Sequence, residues 1–393
     1  MNIAIVSVHE LPADLPAIAR ELSGTHRVTV YTRRNAADRK PKVKVATGVT
    51  IEYLTAGPAE SLAENELMPH IAEFSEQLKQ RWGKDRPDVV HAHSWTGGLA
   101  AIAGAADLDD VPIVQTFHNL GSSRIRPGAD QGRAARIRLE RAIGRRADAV
   151  IASCDDEADE LIRMGVPRKK IAVVPHGVDV ERFRRQGPSL PRTDRPRLVH
   201  VGHITPGGGA YTAIRALDGI PGAELLIAGG PVAGSPDTEA DLERLRIVAK
   251  EAGVEDRVTL LGHVPHNSIA KLMRSADIVL SLPVAVPNGK VALEAMACGT
   301  PVIASAVGAH IDSVVDGVTG LLVRSDNAAA LALRTRQLLG DLTRRTALGF
   351  AAADRASSRY SMERISRELV RVYDNVTGRL QPVEAEESEA EAA

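Results

Sequence analysis

Ser281-Leu-Pro-Val-Ala-Val-Pro-Asn-Gly-Lys-Val-Ala-Leu-Glu-Ala-Met-Ala-Cys-Gly-Thr-Pro-Val-Ile-Ala-Ser305 reads as a strand, a polar turn, a helix and a second strand within 25 residues. Ile278 to Leu282 is an apolar β-type run, and Pro287-Asn288-Gly289 is a turn signal. Lys290 to Cys298 is rich in helix formers and closes on Gly299, after which Thr300-Pro301 opens a strand over Val302 to Ala304. A helix that starts just beyond the carboxyl end of a parallel strand turns its free N–H groups into the crevice where α/β sheets bind ligands. An anion is the expected occupant. Glu294, one turn inside the helix, shares a face with Lys290. Two readings stay open on this helix alone: both groups serve a ligand, or they form an ordinary helix pair contributing about 0.2–0.5 kcal/mol.

Outward from this stretch the chain alternates strand and helix almost throughout. In the first half the patterning predicts strands at Ile3 to Val8, Val28 to Tyr31, Val49 to Tyr53, Val89 to Ala92, Ile113 to Thr116, Ala149 to Ala152 and Ile171 to Val174, with a long helix from Leu62 to Trp82. Arg184 to Pro196, with three prolines and many charges, reads as a linker. The alternation then restarts at Leu198 to Val201, Glu224 to Ala228, Val258 to Leu261, Ile278 to Leu282, Val302 to Ala304 and Leu321 to Val323, and ends in helices, the last from Met362 to Val376. This order predicts an α/β protein with two parallel sheets, each covered by helices. The acidic end from Val383 to Ala393 has too few hydrophobes to fold and is expected to be disordered.

Composition narrows the function. At 393 residues, two domains are expected. A net charge of -1 and an aromatic content of 3% argue against a nucleic-acid partner. Cys154 and Cys298 supply neither a disulfide framework nor a structural zinc site, which suits a reducing cytoplasm. Met1-Asn-Ile-Ala-Ile-Val6 opens a strand rather than a secretory leader, and no apolar run is long enough to cross a bilayer. Membrane contact, if made, is peripheral, at the inner membrane face. Arg124 to Arg146 holds eight arginines against Asp130 and Glu140. That run could meet an anionic lipid or a phosphorylated acceptor, or simply form a solvated basic helix. His91 and His93 lack an evident third ligand, so no metal is expected there. Asp155-Asp-Glu157 reads as the first turn of a helix capped near Ser153.

Val291-Ala-Leu-Glu-Ala-Met-Ala-Cys-Gly-Thr-Pro-Val-Ile-Ala-Ser305, followed by Val307-Gly308 and Val315-Asp-Gly-Val-Thr-Gly-Leu-Leu-Val323, resembles the C-terminal signature of the family-4, or group 1, retaining glycosyltransferases of the GT-B fold. Asp88-Val-Val-His-Ala-His93, Thr116-Phe-His-Asn119, Ala147-Asp-Ala-Val-Ile-Ala-Ser153, Val174-Pro-His-Gly-Val-Asp179 and Phe183 support it. The resemblance implies two Rossmann-like domains facing a cleft: an acceptor-side domain over 1–183, a linker over 184–196, and a nucleotide-sugar domain over 197–356. A helix over 357–378 would cross back to the first domain, with a disordered tail over 379–393. It implies transfer of a sugar from a nucleotide diphosphate to an acceptor hydroxyl with retention, through an oxocarbenium-like transition state, with the donor phosphate assisting deprotonation and with no metal or other cofactor.

The same resemblance implies roles for residues. Glu294 would hold the ribose hydroxyls, since a carboxylate can accept two of them at once. Asn288 and the N–H groups of Gly289, Lys290 and Val291 would face the distal phosphate and sugar. Val264, in Gly262-His-Val-Pro265, would meet the base, and His118 the donor sugar near the reacting bond. Three segments depart from the pattern: Val286 stands where relatives carry Glu, His203 and Gly208 where they carry Arg and Lys, and Ser7 to Asp14 where they carry a double glycine. Charge-assisted hydrogen bonds contribute about 1.5–3 kcal/mol each, so the missing Arg and Lys would weaken diphosphate binding by roughly two to four powers of ten. Lys290 is the expected substitute, with Gly207 to Gly209 allowing close backbone approach. Two alternatives follow from the departures: a non-catalytic partner or regulatory protein of the same fold, and a GT-B nucleotide-sugar epimerase.

Overall fold

The computed structural model describes residues 1–9, 11, 15–122, 133–230, 236–285 and 288–379. Val286, most of the stretch from Glu10 to Asp14, Arg124, Arg126 and the acidic tail lie outside the described residues.

The described residues form two sheets. The first contains β1 (Asn2–Ser7), β2 (Arg27–Arg33), β3 (Lys42–Ala46), β4 (Val49–Leu54), β5 (Val89–His93), β6 (Ile113–Thr116), β7 (Ala149–Ala152) and β8 (Ile171–Val173), in the order β3-β4-β2-β1-β5-β6-β7-β8. The second contains β9 (Arg197–Val201), β10 (Glu224–Ala228), β11 (Val258–Gly262), β12 (Ile278–Ser281), β13 (Val302–Ser305) and β14 (Leu321–Val323), in the order β11-β10-β9-β12-β13-β14. Every pairing is parallel except β3 with β4. Their central strands are buried runs of Val, Ile, Leu and Ala, as a sheet covered on both faces requires.

The first sheet is flanked by α1 (Leu15–Leu22), α2 (Ile71–Trp82), α3 (Ser94–Gly104), α4 (Arg133–Arg146) and α5 (Asp155–Arg163). Around the second lie α6 (Ala210–Asp218), α7 (Pro236–Glu251), α8 (His266–Arg274), α9 (Lys290–Ala297), α10 (Ala309–Ser313), α11 (Ala328–Leu339) and α12 (Leu342–Tyr360). The chain then crosses back. α13 (Met362–Val376) buries Ile365, Leu369 and Tyr373 in the first core, beside Ile3, Ile5 and Leu15. Val178 and Phe183, before the linker, already pack into the second core with Val199 and Met296.

Strand order reverses at β1/β5 in one sheet and at β9/β12 in the other. Crevices open outside the carboxyl ends of strands at such points, so the segments after β5, β9 and β12 are where ligands belong. Two details differ from the sequence reading. The helix expected from Leu62 is a 3-10 segment over Glu64–His70 and becomes α-helical only at Ile71, because Pro69 has no N–H and its ring disrupts a regular helix. β3 was not expected: its Lys-Val-Lys-Val alternation is largely exposed, as suits an edge strand protected by charge.

Candidate active site

The two sheets meet at their carboxyl ends. The Asp155 N–H, at the start of α5, donates to Asp312 Oδ2 at 2.9 Å, and the Gly308 N–H donates to Asp156 Oδ2 at 3.0 Å. Each domain thus supplies a carboxylate to the other's backbone. Burial pushes the Asp312 carboxyl up, against the Asp155 N–H, while Asp155 and Asp156 push it further.

On the first-domain side the wall is made of histidines. His91 and His93 point to one face of β5, as alternate residues of a strand must. His118 follows β6 with φ at +63°, a left-handed conformation that His tolerates better than most residues. His93 Nδ1 lies 2.7 Å from His118 Nε2, and the His118 and His176 rings are 5.8 Å apart. His93 Nε2 is buried without a partner among the described residues. A bare lone pair costs less there than an orphaned N–H, so Nδ1 carries the hydrogen and donates to His118. Behind them, His91 bonds Tyr373 Oη at 2.7 Å and Thr116 Oγ1 at 2.8 Å. Burial, with His118 adding repulsion, pulls the His91 pKa down to about 3; burial, then the neighbouring histidines, holds His93 well below the usual imidazole range. Both are neutral at physiological pH. Three of their four ring nitrogens are hydrogen-bonded within the protein, and among the described residues no group of three or more His, Cys, Asp or Glu is placed to hold a metal ion.

Glu157 reaches back from the first turn of α5 to the Ser153 N–H (2.8 Å) and hydroxyl (2.5 Å). Burial pushes its carboxyl up, although both Ser153 bonds pull the other way. The acidic triplet is thus a helix start that also ties the domains together through Asp156.

On the second-domain side the wall is largely backbone. Gly289 caps α9 with φ at +58°, and the Asn288 side chain accepts from the Lys290 N–H at 3.3 Å. Glu294, one turn further, is 4% exposed. It pairs with His266 rather than Lys290: Oε1 lies 2.8 Å from His266 Nε2. Arg182 Nη1 donates to His266 Nδ1 at 2.9 Å, so Nδ1 is the acceptor and Nε2 carries the hydrogen given to Glu294. The second carboxylate oxygen has no hydrogen bond among the described residues. Nor does the Lys290 ammonium have an ion-pair partner among them.

The glycine loop after β9 serves the protein itself. A Cβ on Gly208 would lie 1.9 Å from the His203 carbonyl oxygen, and one on Gly209, at φ +97°, would lie 2.4 Å from the Leu282 carbonyl oxygen. The Val284 N–H donates to the Gly207 carbonyl at 2.9 Å. The loop is thereby pressed onto the segment after β12, and no side chain fits at Gly208 in this arrangement. His203 is exposed on its rim, and Val264 is half-buried against the second core in the turn after β11.

Sequence reasoning placed Gly289, Lys290, Val291 and Glu294 on one helix start and His118 on the opposite domain. It missed His266, whose only signal is adjacency to the Gly262 to Pro265 turn, and it left His93 and His176 without a role. The basic run is largely committed elsewhere. Arg133 and Arg136 bond carbonyls and carboxylates around Gly121, while Arg141 and Arg145 bond the Met164 and Gly165 carbonyls. Among the described residues, no helix is long and apolar enough to cross a membrane.

Residues 17–182 match the family described as Glycosyltransferase Family 4, and residues 181–355 that described as Glycosyl transferases group 1. The chain is 32% identical to a D-inositol 3-phosphate glycosyltransferase of Xylanimonas cellulosilytica, over 96% of this chain and 97% of that one. It is 35% identical to the protein of that name in Mycobacterium bovis, over 75% of this chain and 64% of the relative. Among solved structures, a sucrose-phosphate synthase from Thermosynechococcus elongatus superposes with a TM-score of 0.86 at 26% identity, covering 97% of this chain and 100% of that one. Anabaena HepE in complex with UDP and glucose superposes with a TM-score of 0.76 at 19% identity, over 95% and 100%, a likeness of fold alone.

Proposed function

Because this chain belongs to the family-4, group 1 glycosyltransferases, retaining enzymes of the GT-B fold that use nucleotide-sugar donors, we propose that it moves a hexosyl group from a uridine diphosphate sugar to a hydroxyl of a phosphorylated cyclitol. The observation that carries this reading is Glu294. It is a buried carboxylate with one oxygen fixed by the His266 imidazole and the other unbonded among the described residues, one turn inside a helix whose N-terminus opens on the β9/β12 crevice. In that place it holds the ribose hydroxyls, while the N–H groups of Gly289, Lys290 and Val291 receive the diphosphate. Lys290 supplies the positive charge that His203 and Gly208 do not, and Val264 lies against the base. His118, pinned by His93, meets the transferred sugar. Departure of the diphosphate leaves oxocarbenium character on that sugar, and the leaving phosphate takes the acceptor proton.

The donor is suggested by the UDP bound in the Anabaena structure, and the acceptor by the two inositol-phosphate enzymes. Peripheral contact with an anionic membrane face would fall to Arg138 and Arg146, exposed on α4 and without a side-chain partner among the described residues. The test is turnover of uridine, guanosine and adenosine diphosphate sugars with D-inositol 3-phosphate, the product's anomeric configuration being read by NMR. Retained configuration with a uridine donor is expected. Failure of any nucleotide diphosphate to bind would favour the non-catalytic partner, and release of an isomeric nucleotide sugar without acceptor would favour the epimerase.

A further inference from the structure

At the opposite end of β12 and β13 from the cleft, the linker borders an open pocket of about 490 Å³. One wall is linker, from Arg185 to Gly187 with Ser189; the other is Asp277 before β12, Thr300 before β13, and Arg345 and Phe350 on α12. Its volume falls within the range of about 300–1,000 Å³ usual for small-molecule sites. Arg274 forms its side.

Three guanidiniums reach this space with donors to spare. Arg185 lies flat on Phe350, 3.5 Å from the ring centroid, and makes no hydrogen bond or ion pair among the described residues. Arg274 gives Nε to the Pro188 carbonyl (2.9 Å) and Nη1 to the Arg184 carbonyl (3.1 Å) and also donates to the Cys298 thiol, which leaves two of its five N–H donors. Arg345 gives Nη1 to the Leu339 carbonyl (3.0 Å), and its Nη2 is a loose 3.5 Å from Asp277 Oδ1. Asp277 does not cancel this charge. Its Oδ2 already accepts from Arg192 Nη2 at 2.5 Å and from the Arg197 N–H at 2.8 Å. Cys298 adds no negative charge either, since burial keeps it a thiol.

We propose that this cavity binds a small phosphorylated organic molecule, its phosphate held by Arg185, Arg274 and Arg345 and its polar body lying against Ser189 and Thr346. Planar guanidinium forks match phosphate oxygens two at a time, and three around one cavity suit a dianion better than a single charge. Inorganic phosphate alone would leave most of the volume unfilled. The site is separate from the donor crevice, which lies past the other ends of the same strands, and its assignment does not rest on the proposed reaction.

The experiment is isothermal titration of the full chain with glucose 6-phosphate, with inorganic phosphate, glucose and succinate as comparisons. Saturable binding of the sugar phosphate is expected, with weaker binding of phosphate and none of glucose or succinate. Arg185→Ala, which removes no hydrogen bond among the described residues, should weaken binding at least about tenfold. Arg345→Lys should also weaken it, because the charge remains while the fork is lost. Glu294→Gln should leave it unchanged. Should Arg185→Ala lower the melting temperature, Arg185→Gln repeats the test. Undiminished affinity in the Arg185 variants, equal binding of succinate, or no saturable binding would overturn the proposal.

Discussion

On the first-domain side of the cleft, side chains define the surface: His93 bonds His118 at 2.7 Å, and His91, its ring packed against His93, bonds Tyr373 at 2.7 Å and Thr116 at 2.8 Å. Across from them the second domain offers mainly backbone, glycine turns pressed on neighbouring carbonyls and a helix start, with one buried carboxylate. A wall of side chains can be altered one contact at a time, because each substitution removes one bond and leaves the chain path alone. A wall of backbone depends on conformations that only certain residues adopt. Substitution there changes the shape of the surface itself.

The sharpest way to break this contrast is Gly209→Ala. Its left-handed backbone and the 2.4 Å approach to the Leu282 carbonyl together predict a stability loss of about 3 kcal/mol or more. Gly222→Ala, with positive φ but nothing within 4 Å, should cost only about 1 kcal/mol. Urea unfolding of both variants makes the comparison. Equal losses would mean that the crowding at Gly209 is relieved by an easy shift of the loop.

Glu294→Gln tests the one side chain on the backbone wall. Gln can still accept from His266 but presents no charge, so nucleotide affinity should fall about ten- to a hundredfold with the fold intact. Calorimetry with uridine diphosphate reads this, and unchanged affinity would remove Glu294 from the site.

Acid distinguishes the walls less, since both domains bury neutral imidazoles. Burial lowers His91 to about 3 and His200 and His310 to about 4. In the unfolded chain these groups take up protons near their ordinary pKa of about 6.5, whereas in the folded protein they do not. Their contribution is therefore complete above that value and is lost as pH falls from about 6.5 towards 4, at up to about 1.4 kcal/mol per pH unit for each group. The buried Glu157, raised in the fold, opposes this as its own proton is taken up. His91→Gln should flatten the fall in melting temperature between pH 6.5 and 5. An unchanged slope would show that His91 does not resist protonation.

The smallest effect is expected from His93→Ala. Losing one hydrogen bond to His118, a net contribution of about 1 kcal/mol, should lower kcat by about fivefold and leave the donor KM unchanged. Histidine NMR should show His118 changing tautomer or mobility. A rise in KM with kcat unchanged would mean that His93 supports donor binding instead.

The stretch from Ile278 to Ser305 is legible in sequence because its signals are local: a four-residue apolar strand, a glycine that accepts positive φ, helix formers, then a second strand. The parallel sheets follow for the same reason, as near-neighbour patterning sets each strand and helix. The basic run from Arg124 to Arg146 was open between a ligand surface and a solvated helix because spacing does not say which carbonyls an arginine will meet. Pro69 is itself a local signal, and it is what confines the α-helix to Ile71–Trp82.

The sequence by itself determined the two α/β halves, the family signature and the place of Glu294 one turn inside its helix, since each depends on residues close together in the chain. The tertiary structure decided the partners. Glu294 takes His266 across 28 residues, and His91 takes Tyr373 across 282. A side chain at Gly208 or Gly209 would strike the carbonyls of His203 and Leu282, a closeness that no local signal gives. Hydrogen bonds and close packing act through space over a few ångströms, and the folding of distant segments onto one another sets which groups come that near.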